Sequence, residues 1–191
     1  MISSISVSLV FGLVVALTLF WFYKATRTKT YLWISLTIVI IQSTIALSGF
    51  YQNSLVLPPR IMLFGALPSL LLIFFVMFSA AGKKWMDQLS LRSLTNFHVI
   101  RVPVEIVLSL LYYQGLVSVY MTFEGTNFDI LSGLSAPLVA YWFFTKKSLA
   151  TRALLLWNIT CLLLLLNVVI TAIFALPTPF QLLAFDQPNI A

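Results

Sequence analysis

Long uninterrupted apolar runs, each close to the length that crosses a bilayer, limit this chain more than anything else in it. They cover residues 5–23, 31–49, 61–81, 97–121, 128–145 and 153–176. A helix needs roughly 20 apolar residues to span roughly 30 Å of hydrocarbon. The runs are continuous rather than alternating and about twice as long as a barrel strand, which favours helices over a β-barrel. Hydrocarbon offers no partner to backbone N–H and C=O groups, so each run must satisfy its own. The expected fold is therefore an all-α integral membrane protein, a bundle of about six transmembrane helices. They form one polytopic domain over residues 1–191.

Composition agrees. Charged residues make up 8% of the chain and hydrophobic ones 61%, with a mean hydropathy of +1.03. A water-soluble surface takes about 25% charged residues. The net charge of +6 does not point to nucleic acid, because the basic residues sit in short clusters between the apolar runs. Lys24, Arg27 and Lys29 follow the first run, Lys83, Lys84 and Arg92 the third, and Lys146, Lys147 and Arg152 the fifth. The second connection carries Arg60 alone and the fourth has no basic residue. Basic residues stay on the cytoplasmic side of short connections. The alternation predicts a multi-pass protein of the cell membrane with both termini non-cytoplasmic. Met1 to Ser8 has no basic residue, so the first run reads as a retained helix rather than a signal peptide. Phe180 to Ala191 reads either as the approach to a further element, with the chain cut after Ala191, or as a tail along the outer interface.

The fourth run holds the most informative polar residues. His98, Arg101 and Glu105 are spaced i, i+3 and i+7, which puts them on one helical stripe that Ser109 and Tyr112 extend. A charge near the bilayer centre costs about 2.5–3.5 kcal/mol on insertion scales. Two on one face need a reason, and Arg101 and Glu105 are placed to neutralise each other. Pro103 frees a backbone carbonyl beside them. The stripe is read as a polar intramembrane site or, alternatively, as an ion pair that fixes helix packing.

A second candidate lies in the connection after that run. Glu124, Asn127 and Asp129 offer two carboxylates and an amide, the oxygen ligands that hold a hard divalent cation. The plainer reading is an outer connection turned by Gly125, with its acidic residues favoured by the dipole of the next helix. No resident cofactor is expected. The single Cys161 allows no intrachain disulfide, one histidine makes no multi-histidine metal centre, and no Gly-rich phosphate loop is present.

Three activities fit these features. The leading one is a small transporter-like or channel-like protein whose polar path links the acidic connection to Glu105, an exchangeable carboxylate, for an ion or small-molecule substrate. An intramembrane enzyme acting on a lipid-type substrate is the second. A non-catalytic membrane subunit, working as a homo-oligomer or beside a partner, is the third. The bilayer is the partner common to all.

Overall fold

A computed structural model describes residues 4–52 and 58–190, and every regular element among them is helical. The chain divides into two compact units, Phe22–Ser90 and Met1–Trp21 with Leu91–Ala191. Helix α1 (Ser4–Thr26) runs through the boundary between them and ends where Arg27 turns left-handed at φ 53°.

In the unit Phe22–Ser90, α2 (Lys29–Leu47) ends at Gly49, which takes φ 74°. Gln42, a polar side chain within an apolar helix, donates from Nε2 to the Phe64 carbonyl at 2.9 Å. Phe64 lies in a π-helical turn, Met62–Ala66, so the amide ties α2 to the start of the next helical segment. The Arg60 guanidinium sits 4.7 Å from the centre of the Phe50 ring, where the aromatic face takes up part of its charge. Helix α3 (Leu67–Phe78) then stops at Ser79, whose backbone is extended at φ −77° and ψ 148°. The Ser79 hydroxyl accepts from the Gly82 N–H at 3.0 Å and starts α4 (Ala80–Met86). The segments Met62–Phe78 and Ala80–Met86 meet at 84°. A Cβ on Gly82 would lie 2.1 Å from the Val76 carbonyl oxygen, so the break requires glycine there. The apolar run 61–81 thus contains a sharp corner that its composition does not reveal, because the cap is made by one serine.

In the other unit, α5 (Leu91–Phe97), a 3-10 turn (His98–Ile100) and α6 (Arg101–Tyr113) form one apolar span of 23 residues. The tightened turn has a local cause. Pro103 has no N–H for the Val99 carbonyl, and the preceding turn closes on shorter bonds. The span begins six residues before the predicted 97 and stops before the predicted 121. Gly115, at φ 76°, ends it: the Leu116 N–H reaches the Leu111 carbonyl at 3.0 Å and the Gly115 N–H the Tyr112 carbonyl at 2.8 Å. This is a left-handed helix cap, for which glycine has no steric penalty. The chain then folds through a short 3-10 helix, Val119–Met121, into α7 (Ile130–Ala140). A π-helical turn, Tyr141–Thr145, extends α7, and α8 (Thr151–Phe174) follows.

Close approach of α7 to the span Leu91–Tyr113 depends on Gly133. A Cβ there would lie 2.7 Å from Val102 Cγ2 and 3.3 Å from the His98 carbonyl oxygen. Ala136 and Ala140 continue that small-residue face and are buried, as helices packed in lipid require when backbones come near. The C-terminal segment lies back over the ends of α6 and α8. The Gln187 amide donates to the carbonyls of Tyr112 (3.1 Å) and Val117 (2.6 Å), and the Asn189 N–H reaches the Ala175 carbonyl at 2.8 Å.

Among the described residues, four helices are long and apolar enough to cross a membrane: Ile5–Thr26, Lys29–Leu47, Leu91–Tyr113 and Thr151–Phe174. The bent pair makes up to five if it is one span, and Ile130–Thr145 is apolar but shorter.

Candidate functional site

Taken from its start at Leu91, the span α5–α6 reaches Arg101 after ~15 Å, close to its midpoint, and Glu105 one turn further. The nearest acidic residue on the same helix is not the partner of Arg101. Its Nη1 instead pairs with Asp129 Oδ1 and also donates to the Cys161 carbonyl at 3.2 Å. One guanidinium thereby joins α6, the start of α7 and the middle of α8. The Arg101 side chain is 16% exposed and Asp129 is buried.

Asp129 reaches Arg101 because the connection 114–128 is folded rather than slack. Thr122 donates through its hydroxyl to the Val119 carbonyl at 2.9 Å, and its own carbonyl accepts from Gly125 and Asn127. Gly125 passes so near Val119 that a Cβ would lie 2.3 Å from the Val119 carbonyl oxygen. This compact loop delivers Asn127 into the interior with no exposed surface. Its amide nitrogen donates to Glu105 Oε1 at 2.6 Å and to the Met121 carbonyl at 2.9 Å. Its amide oxygen accepts the Asp129 N–H at 3.0 Å, which fixes Asp129 at the head of α7. Ser132, three residues on, donates to Asp129 Oδ1 at 3.3 Å.

Two groups of residues that looked separate in the sequence therefore make one cluster. Arg101 and Glu105 from the helix meet Asn127 and Asp129 from the connection. Glu124 stands apart, accepting the Tyr113 hydroxyl at 2.6 Å on an exposed surface. His98 lies at the edge, its ring 4.9 Å from that of Trp157. Among the described residues, no group of three His, Cys, Asp or Glu side chains is placed to hold a metal ion.

The cluster is unequally satisfied. Arg101 and Asp129 form a closed pair, and Asn127 uses both ends of its amide. Glu105 is 2% exposed, yet among the described residues its Oε2 has no hydrogen-bond partner. Ser109 Oγ and His98 Nδ1 are likewise buried without partners among the described residues. All three lie on the stripe formed by 98, 101, 105 and 109. The site thus holds two carboxyl groups and one guanidinium, and a buried carboxylate without a counter-charge is costly.

Spacing on a helix gave no sign of Ser132 or the Cys161 carbonyl, since both come from other helices. A serine three residues after an aspartate at a helix start was the one available hint. An apolar groove of about 390 Å³ between α7 and α8 is lined in part by Leu131, Ser132, Trp157 and Cys161. Ser132 thus stands between that groove and Asp129. No family model, curated protein or solved structure matches this chain.

Proposed function

We propose that this is a multi-pass protein of a cell membrane that carries a small cation, the proton foremost, by way of Glu105. The carrying observation is the buried Oε2 of Glu105, without a partner among the described residues, beside a closed Arg101–Asp129 pair. A proton or one monovalent cation at that oxygen balances the charge of the cluster. Asn127 holds the other carboxyl oxygen, so the group keeps its orientation whether loaded or empty. Polar groups inside a membrane span that face protein rather than lipid are the usual parts of ion and proton pathways. The basic clusters after the first, third and fifth runs support six crossings with both termini non-cytoplasmic. Six crossings require the bent pair to cross once and Ile130–Thr145 to cross as a short helix.

The test is flux into proteoliposomes under an imposed pH, sodium or potassium gradient. Glu105→Gln keeps the shape and the Asn127 contact but has no exchangeable charge, and it lowers flux at least about tenfold. Glu124→Gln, outside the cluster, leaves flux close to wild type. A wild-type rate in Glu105→Gln removes the proposal. The gradient that drives uptake separates the proton from a metal cation.

A second reading is favoured by the bond from Arg101 to the Cys161 carbonyl, which makes the guanidinium a tie between three helices. On that reading the cluster sets packing in a non-catalytic membrane subunit. Wild-type protein showing no flux under any of the three gradients, with a stable fold that depends on Arg101, is the outcome that selects it.

A further inference from the structure

The unit Phe22–Ser90 holds an apolar groove of about 310 Å³, well away in sequence from the Glu105 cluster. It runs between α2 and α3 from Ile38 and Leu72 to Tyr31 and Trp85, about two helical turns or ~10 Å. Helix α4 crosses its end. The corner at Ser79 and the close approach of Gly82 to Val76 bring Trp85 against Tyr31, their rings 5.0 Å apart.

Basic residues do not line the groove, but they are close in sequence to residues that line this end. Lys24 follows Phe22 by two positions, Lys29 precedes Tyr31 by two, and Lys83 and Lys84 lie between Gly82 and Trp85. Arg27 is in the same turn between α1 and α2. The four lysines and Arg27 are exposed. Across residues 22–90 there are six Lys or Arg and a single acidic residue, Asp87. The opposite end of the groove is lined by Ile38 and Leu72, without charge.

We propose that this groove binds an anionic phospholipid of the surrounding bilayer. One acyl chain lies along α2 and α3, and the phosphate sits beyond the end lined by Trp85, within reach of the exposed Lys83 and Lys84. The charge asymmetry selects the occupant. An apolar slot with exposed cations on the helices around one end matches a molecule with a hydrocarbon tail and an anionic head, and clustered Lys and Arg beside a span attract such heads. Tyr31 and Trp85 supply the amphipathic rings that settle at headgroup level.

The full chain, purified in detergent and offered an equimolar mixture of phosphatidylglycerol and phosphatidylcholine, is examined by native mass spectrometry. Wild type retains phosphatidylglycerol with a roughly tenfold preference, the size that a pair of lysines at a membrane surface supports. Lys83→Gln with Lys84→Gln brings the two lipids to parity; both side chains are exposed, so the fold survives the change. Ile38→Trp fills the far end of the groove and lowers retention of phosphatidylglycerol with the lysines intact. Lys146→Gln with Lys147→Gln, in the other unit, leaves the preference unchanged. Parity in wild type overturns the proposal. So does an equal loss on changing Lys146 and Lys147, which marks attraction to net charge alone. So does undiminished retention in Ile38→Trp, which marks a headgroup contact without a chain site.

Discussion

Arg101 illustrates how little a residue's own helix says about its partner. Four residues separate it from Glu105, a spacing that brings opposite charges together on isolated helices, yet Asp129 takes the pair. A buried guanidinium left without its carboxylate costs far more than the pair contributes when intact. Arg101→Met or Asp129→Leu alone should therefore destabilise the protein by about 3 kcal/mol, while the double variant recovers most of that loss. Denaturation in detergent micelles across the double-mutant cycle checks this; additive losses would show that the two side chains act separately. The residues of the cluster were legible in the sequence because charges and amides are rare in apolar runs. Their connectivity was not. It depends on the fold of the connection 114–128, where Thr122, Gly125 and Asn127 meet through backbone bonds that no side-chain spacing encodes.

At the scale of elements, helices overlap the runs read from hydropathy, but their bounds and shape differ. Apolar length marks where a helix can lie, and caps decide where it stops. Gly115 cuts the fourth run short by a left-handed cap, and Ser79 with Gly82 folds the third through 84°. Glycine or serine within an apolar run is compatible with an intact helix, so neither break was visible beforehand. Gly133 is the element-scale residue that most directly holds the site together. It lies four residues after Asp129 on α7, and its missing Cβ lets α7 approach Val102. Gly133→Ala should cost about 1 kcal/mol and Gly133→Leu roughly 3 kcal/mol, since overpacking of a tight contact forces backbones apart. Loss of the Arg101–Asp129 tie makes the leucine variant sensitive to proteolysis in the connection 114–128. Thermal unfolding and limited digestion of the two variants give the readout, and a leucine variant as stable as wild type would contradict the packing described.

For the whole molecule, the basic clusters carry the claim that can be tested most directly. With odd connections cytoplasmic, a green fluorescent protein fused after Lys29, Lys84 or Lys147 fluoresces, because it folds on that side. A fusion after Gly125 stays dark in a bacterial host, whose export route delivers that reporter unfolded. Fluorescence after Gly125 would invert the orientation or reduce the number of crossings. Placement of the C-terminal segment was less legible. Its Pro-interrupted, mildly apolar composition read either as the approach to a further element or as a tail along the outer interface, and residues 177–190 form no helix. Gln187 and Asn189 nonetheless satisfy carbonyls at the ends of α6 and α8, a role that depends on three-dimensional proximity.

That arrangement carries a consequence for timing. The Ser118 N–H finds its acceptor in Asn189, 71 residues later in the chain. At about 5–20 residues per second of synthesis, roughly 4–14 s pass between the two. Throughout that interval the Ser118 N–H lacks its acceptor, so this bond closes late. A chain ending before residue 189 would lack that bond while still carrying both members of the Arg101–Asp129 pair.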